Sequence, residues 1–437
     1  MSVRPSVLAL TPLLVFLALF FGAGLYYTAQ GEPMGFYQLR APVAILPALA
    51  LSLWLARRRG VPPQATLLSG MGEGNVMLMC LIFLLAGAFA MVSKGVGAVD
   101  AVVALGLGAL PPALILPGLF LVASFVSLSI GTSMGTVAAV VPIALGVADA
   151  SGLDRVLVTG AVLGGAMFGD NLSIISDTTI AATRSQGAEM RDKFRENLKI
   201  AAPAALATVL LLATMGDSSP VPASEAAASP WLVLPYLLVL VLAVAGLDVV
   251  LVLGIGIVAA GVAGLALAPD YGAVDFVGDI YAGFESMVEI TLLSILIGGL
   301  AALIKATGGL DWLAGAIARF ARGHTGRRSG ELSIAALAAG TDALTANNTV
   351  AILVSGSLAR DIAERHGISP RRSASVLDIF ACVVQGVLPY GAQVLLVASL
   401  GALSPLAVAG SVHYCWLLAL SALGFMLWPR RKAMPAA

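Results

Sequence analysis

Apolar runs close to membrane-crossing length recur from one end of the sequence to the other, among them Val7–Tyr26, Val76–Val92 and Trp231–Ala245. A helix needs about 20 apolar residues to cross the roughly 30 Å of hydrocarbon in a bilayer. Only helices and closed barrels satisfy every backbone polar group there. The chain therefore reads as an all-α polytopic membrane protein. Composition agrees, since 59% of the 437 residues are hydrophobic and 11% are charged, against roughly a quarter charged in an ordinary soluble domain. The first run follows Arg4 as a secretory leader would, but Tyr26, Tyr27 and Gln30 come after it in place of a small-residue cleavage site. It is read as a retained span.

Seven spans are expected near residues 7–26, 36–56, 75–92, 113–130, 132–148, 155–183 and 197–214. Seven more follow near 231–246, 248–268, 288–304, 331–341, 343–359, 373–402 and 409–428, giving about 14 membrane segments. The stretches 155–183 and 373–402 are too long for one crossing, and each holds a polar interruption, at Phe168–Ser173 and around Pro389-Tyr390-Gly391. Both read as interrupted helices or re-entrant hairpins. With the N-terminus placed inside, only Arg40, Lys94 and Arg155 of the 24 basic residues fall outside, which fits the positive-inside rule and puts both termini in the cytoplasm of a bacterial inner membrane.

An odd number of spans per half inverts the second half relative to the first, predicting an inverted-repeat secondary transporter. Residues 1–216 form the first repeat, 217–230 an outer linker rich in Ser, Ala and Pro, and 231–437 the second repeat. Gly131-Thr132-Ser133 is matched to Gly340-Thr341-Asp342, 209 residues on, and Gly165–Asp170 to Gly386–Gly391, 221 on. That register calls for an indel of about a dozen residues between the two matches. Val96–Leu110 and Asp311–Phe320 read as corresponding interfacial helices.

Carboxylates inside spans carry the functional signal, because each costs roughly 2.5 to 3.5 kcal/mol at a helix centre on insertion scales. Asp170, Asp177, Glu289, Asp342 and Asp378 qualify, although Glu289 lies near an outer end and can reach water. Lys305, Asp248 and Glu331 read as interface charges. Asp170, Asn171, Ser173, Ser176, Asp177, Thr178 and Thr179 form one string of oxygen ligands, with Gly169 to release the backbone, suited to a hard cation that has shed its water. A polar helix contact is the plainer alternative. Thr132 and Ser133, with Ser127, Ser129 and Thr136, form either a second wall or a small-residue packing surface. Asp342, Asn347 and Asn348 make the matching cluster in the second half; Asp378 shares a face with Gln385 or pairs with Arg371 or Arg372. Asp170 and Asp177, with Asp342 from the other half, are the expected exchange site. Cys80, Cys382 and Cys415 read as core residues, and the three histidines are scattered.

The stretches Ser129–Thr136 and Phe168–Thr179 resemble two signature stretches of the NhaC family of sodium/proton antiporters, within the ion transporter superfamily. The resemblance implies sodium and proton coupling, an inverted-repeat fold with re-entrant hairpins, and a sodium site near Asp170, Ser173, Asp177 and Thr178. Asn171 stands where that family frequently has a lysine. Sodium, protons and the lipid bilayer are the expected partners, with homodimerisation allowed for, no nucleic acid, and no cofactor beyond the transported ions. The runner-up is a sodium- or proton-coupled transporter of a small organic acid or amino acid, which the fold alone does not separate. An intramembrane protease is disfavoured, because Met167 precedes Phe168-Gly169-Asp170 where such enzymes resemble one another in a Gly-x-Gly-Asp element.

Overall fold

The computed structural model describes residues 4–32, 35–98, 101, 111–173, 176–216, 229–245, 247–323 and 326–427, and among these it is helical with no strand. Most of Val96–Leu110 and most of the linker lie outside the described residues, whereas Asp311–Phe320 falls within a helix, Gly309–Gly323. Nine helices among the described residues are long and apolar enough to cross a membrane; a tenth follows if Pro405–Ser411 and His413–Leu427, bent by 51°, count as one span. That is fewer than the expected number. Ile115–Ile130 and Trp231–Leu242 are shorter apolar helices, while Arg327–Thr345 carries Arg327, Arg328, Glu331 and Asp342, and Asn348–Arg365 carries Arg360, Asp361, Glu364 and Arg365. The boundary expected near residue 342 falls at Ala346 instead.

Eleven helices build the centre, labelled here in chain order. The first five are α1 (Ile115–Ile130), α2 (Ser133–Ser151), α3 (Arg155–Leu172), α4 (Asp177–Gln186) and α5 (Met190–Met215). The remainder are α6 (Arg327–Thr345), α7 (Asn348–Arg365), α8 (Pro370–Val387), α9 (Ala392–Gly401), α10 (Pro405–Ser411) and α11 (His413–Leu427). Helices α3 and α4 form one interrupted span and α8 and α9 another; 94% and 78% of an apolar 18-residue stretch within each is buried, against 33% within Val7–Ala29. The two interrupted spans are thus interior elements, and each runs on past its break rather than turning back as a hairpin.

Helix α3 closes at Leu172 and α4 opens at Asp177, so Phe168–Leu172, expected as the interruption, is still helical. Gly169 does not release the backbone. It lets α3 approach α1, because a Cβ there would meet Ser124 O and the Ser127 side chain, and one at Gly165 would meet Phe120 O. Glycines four apart make this a small-residue packing face.

Element boundaries recur at a fixed spacing. Ser133 and Asn348 open α2 and α7, Leu172 and Val387 close α3 and α8, and Asp177 and Ala392 open α4 and α9, each pair 215 residues apart. The turn before α2 has Gly131 at φ 80° followed by extended Thr132; the turn before α7 has Ala346 at φ 50° followed by extended Asn347, again 215 residues on. Both expected alignments are therefore corrected. The single register is 215 and needs no indel from the α1–α2 turn to the end of α4.

Candidate ion-binding site

The fixed register brings like positions face to face. A chamber of about 90 Å³ is lined by Thr132 and Ser133 from the first turn and Asn347 and Asn348 from the second. Asp170 and Thr178 line it from α3 and α4, and Gln385 and Gln393 from α8 and α9, again 215 residues on. Asn75, Ser176, Asp177 and Thr349 complete its polar wall, and among the described residues its only charged lining is Asp170 and Asp177.

Asp170 is the best-organised group. Ser133 donates to its Oδ2 from the side-chain hydroxyl (2.7 Å) and the backbone N–H (3.3 Å), and Ser176 donates to Oδ1 (2.5 Å). The Ser133 N–H is free to do this because it belongs to the first turn of α2, where backbone donors have no intrahelical partner. From the second half, Gln385 Nε2 donates to Gln393 Oε1 (2.6 Å) and Gln393 Nε2 donates to Ser133 Oγ (3.2 Å), so a chain of hydrogen bonds joins the two breaks through Ser133. Gln385 Oε1 is buried with no partner. Thr178 Oγ1 lies 2.8 Å from Ser176 Oγ, while Asp177 is exposed at the chamber mouth. A larger cavity of about 400 Å³, with Glu73, Ser294, Lys305 and Tyr390 among its walls, shares Met79 and Asn347 with the chamber.

Of the residues singled out in the sequence, Thr132, Ser133, Asp170, Asp177, Thr178, Asn347 and Asn348 line this chamber. Four do not. Ser173 donates to Leu128 O (3.2 Å), and Ser176, on the far side of the break, takes the place expected for it. Asp342 is fully buried on α6 with no partner at either carboxylate oxygen, apart from Asp170 and Asp177. Asn171 and Asp378 meet in a separate cluster with Lys193 and Asn197. There Lys193 Nζ lies 2.7 Å from Asp378 Oδ2, both side chains being buried, so the alternative pairings of Asp378 with Arg371 or Arg372 are not the ones formed.

Arg372 is instead buried between Glu196 (3.4 Å) and Glu331 (2.9 Å), and Arg327 also pairs with Glu331. Lys193, Arg372 and Glu331, expected at the inner surface, are internal. Glu289 pairs with Arg40 at 3.6 Å, in keeping with an outer end, and all three cysteines are buried and free. Sequence reasoning placed Ser176 in the string of ligands but missed Gln393 and Lys193. Lys193 had a signal, because Lys193, Asn197, Ile200 and Ala204 recur at helical spacing and all are buried.

Comparison with known proteins follows this geometry. The Na(+)/H(+) antiporter NhaC of Bacillus subtilis is 27% identical over 357 residues, covering 75% of this chain and 78% of its own length. The Na(+)/H(+) antiporter NhaC of Alkalihalophilus pseudofirmus is 25% identical over 331 residues, 68% of this chain and 70% of that one. The malate-2H(+)/Na(+)-lactate antiporter of Bacillus subtilis is 33% identical over 147 residues, 33% of this chain and 31% of its own. A model of the Na+/H+ antiporter family matches residues 64–217 and 210–428, most of the sequence, so the chain belongs to the Na+/H+ antiporter family.

Proposed function

We propose that the chain exchanges sodium for protons by alternating access, with Asp170 as the shared ligand of the two ions. The observation that carries this is the chamber itself: a buried carboxylate surrounded by hydroxyls and amides, with no lysine or arginine among the lining residues. Carboxylate, Ser133 and Ser176 hydroxyls and the amide oxygens opposite are the hard oxygen donors that a sodium ion accepts in place of water. One carboxylate cannot hold a proton and a sodium ion at once, so binding either displaces the other. Asp177 at the mouth adds a second acid on the entry path. Asp342 suits a proton rather than sodium, since among the described residues neither of its carboxylate oxygens has a hydrogen-bond partner to share in a cation shell. The cavity sharing Met79 and Asn347 offers a route to the chamber.

The 215-residue register supports an inverted repeat of two halves, and the concentration of basic residues near helix ends on one side supports cytoplasmic termini and an inner-membrane location. The match to the malate/lactate antiporter favours a second reading, exchange of small organic acids with sodium. The chamber weighs against it. Among the described lining residues no cationic side chain stands ready to clamp a carboxylate.

The test uses the full chain in proteoliposomes carrying a pH gradient. Sodium is expected to dissipate the gradient, lactate and malate are expected to add nothing, and Asp170→Asn is expected to abolish the response. A full response in that variant would overturn the assignment, and sodium flux that requires malate or lactate would favour the second reading.

A further inference from the structure

Beside the chamber, the cluster of Asn171, Thr179, Lys193, Asn197 and Asp378 has a composition that packing does not require. Lys193 Nζ donates to three oxygens of different kinds: Asp378 Oδ2 (2.7 Å), Thr179 Oγ1 (2.7 Å) and the Asn171 carbonyl (3.0 Å). This uses all three N–H donors of an ammonium. The same three kinds of oxygen form the shell of a hard cation. Asn171 O belongs to the last turn of α3, where carbonyls have no intrahelical partner and the helix end is partially negative. Thr179 lies in the first turn of α4, so the ammonium bridges both sides of the break.

Two features show oxygen to spare. Asp378 Oδ2 also accepts from Asn197 Nδ2 (2.9 Å) and Asn171 Nδ2 (3.3 Å), while Asp378 Oδ1 and Asn197 Oδ1 are buried with no partner. The repeat, moreover, does not need this chemistry. Helices α5 and α10 also open 215 residues apart, at Met190 and Pro405. In that register Val408 and Val412 stand for Lys193 and Asn197, and Leu163 for Asp378, all three buried. Apolar side chains hold the corresponding place in the other half.

We propose that Lys193 is a tethered cation, its ammonium filling a position beside the first break that a mobile sodium would otherwise occupy, so that the cargo is held to a single sodium per cycle. This rests on the reading of the Asp170 chamber as the sodium site. An ion pair with a purely structural role makes a different prediction, because removing the lysine would then only destabilise the fold, with no second sodium bound.

The experiment measures equilibrium binding of radioactive sodium to the purified full chain, with the sodium dependence of proton flux in proteoliposomes. The wild type is expected to bind a single sodium and to show first-order dependence. Lys193→Ala, which leaves Asp378 charged and vacates space, is expected to bind a second sodium and to show second-order dependence. Lys193→Gln combined with Asp378→Asn is expected to return to a single sodium with exchange retained. A folded Lys193→Ala that binds a single sodium overturns the proposal. So does a folded neutral pair that has lost exchange, since the pair would then itself carry cargo. If Lys193→Ala does not fold, Lys193→Ser, which also removes the ammonium and leaves Asp378 charged, takes its place, and a folded Lys193→Ser that binds a single sodium overturns the proposal. A wild type that binds no sodium sinks the chamber reading first, and is recognisable as that failure.

Discussion

The two interrupted spans share a backbone plan and differ in chemistry. Where the first presents Asp170 and Thr178 to the chamber, the second presents Gln385 and Gln393 from positions 215 residues on. The turns facing them differ in the same sense, Thr132 and Ser133 against Asn347 and Asn348. One half thus supplies a carboxylate and hydroxyls, the other amides. Amides offer oxygen ligands without charge, so a cation can be coordinated from both sides while only one side titrates. A repeat of this kind can supply two similar walls for alternating access while leaving the charge of the site to a single acid.

The most severe way to break this comparison is to make the halves alike. Asp170→Gln places an amide at both positions and removes the charge that faces the cation. Initial rates of sodium-driven proton flux are expected to fall by at least about 100-fold, in line with the 3–5 kcal/mol lost when one partner of a buried ionic contact is deleted. Adding Gln385→Glu to that variant moves the carboxylate to the opposite wall. If the walls are equivalent, flux returns to within about tenfold of wild type; no recovery would show that the register aligns backbones but not ligands.

A smaller effect is expected from Gln385→Glu in the wild-type background. A second carboxylate in the chamber should tighten sodium binding about tenfold, which corresponds to ~1.4 kcal/mol. Two acids in one site repel each other, so one should also take up a proton more readily and add to the protons exchanged. Sodium affinity measured across pH checks both. An unchanged affinity would mean that Gln385 Oε1, although buried and unpartnered, does not reach the ion.

How far all this was legible in the sequence follows from the kind of signal each residue gives. The membrane class, both interrupted spans and most of the chamber could be read, because carboxylates, amides and glycines inside apolar runs carry a cost that demands a reason. Register could not be read from letters. Gly131-Thr132 looks like Gly340-Thr341, yet the equivalent turn is Ala346-Asn347, since the conserved feature is a left-handed residue followed by an extended one, and Ala346 adopts the former without being glycine. Gly169 misled for the opposite reason, looking like a release point while serving as a contact with α1. Lys193 was hidden by the positive-inside count, which assigns a lysine near a helix end to water; only its place on a buried stripe with Asn197 and Ile200 marks it as internal.

The mildest prediction concerns those two turns. Gly131 at φ 80° and Ala346 at φ 50° occupy the same left-handed region, which costs an alanine about 1 kcal/mol that a glycine does not incur. Gly131→Ala takes on that strain but leaves the unfolded chain less freedom, about 0.4–1 kcal/mol in its favour. Ala346→Gly is the reverse exchange, relieving the strain and restoring the freedom. The two terms oppose each other in both variants, so each should leave the midpoint of thermal unfolding in detergent nearly unchanged. Matched turns then give matched, small responses. A clear loss in Ala346→Gly alone would mean that Ala346 is held by contacts its methyl makes, and that the turns match in dihedral angle alone.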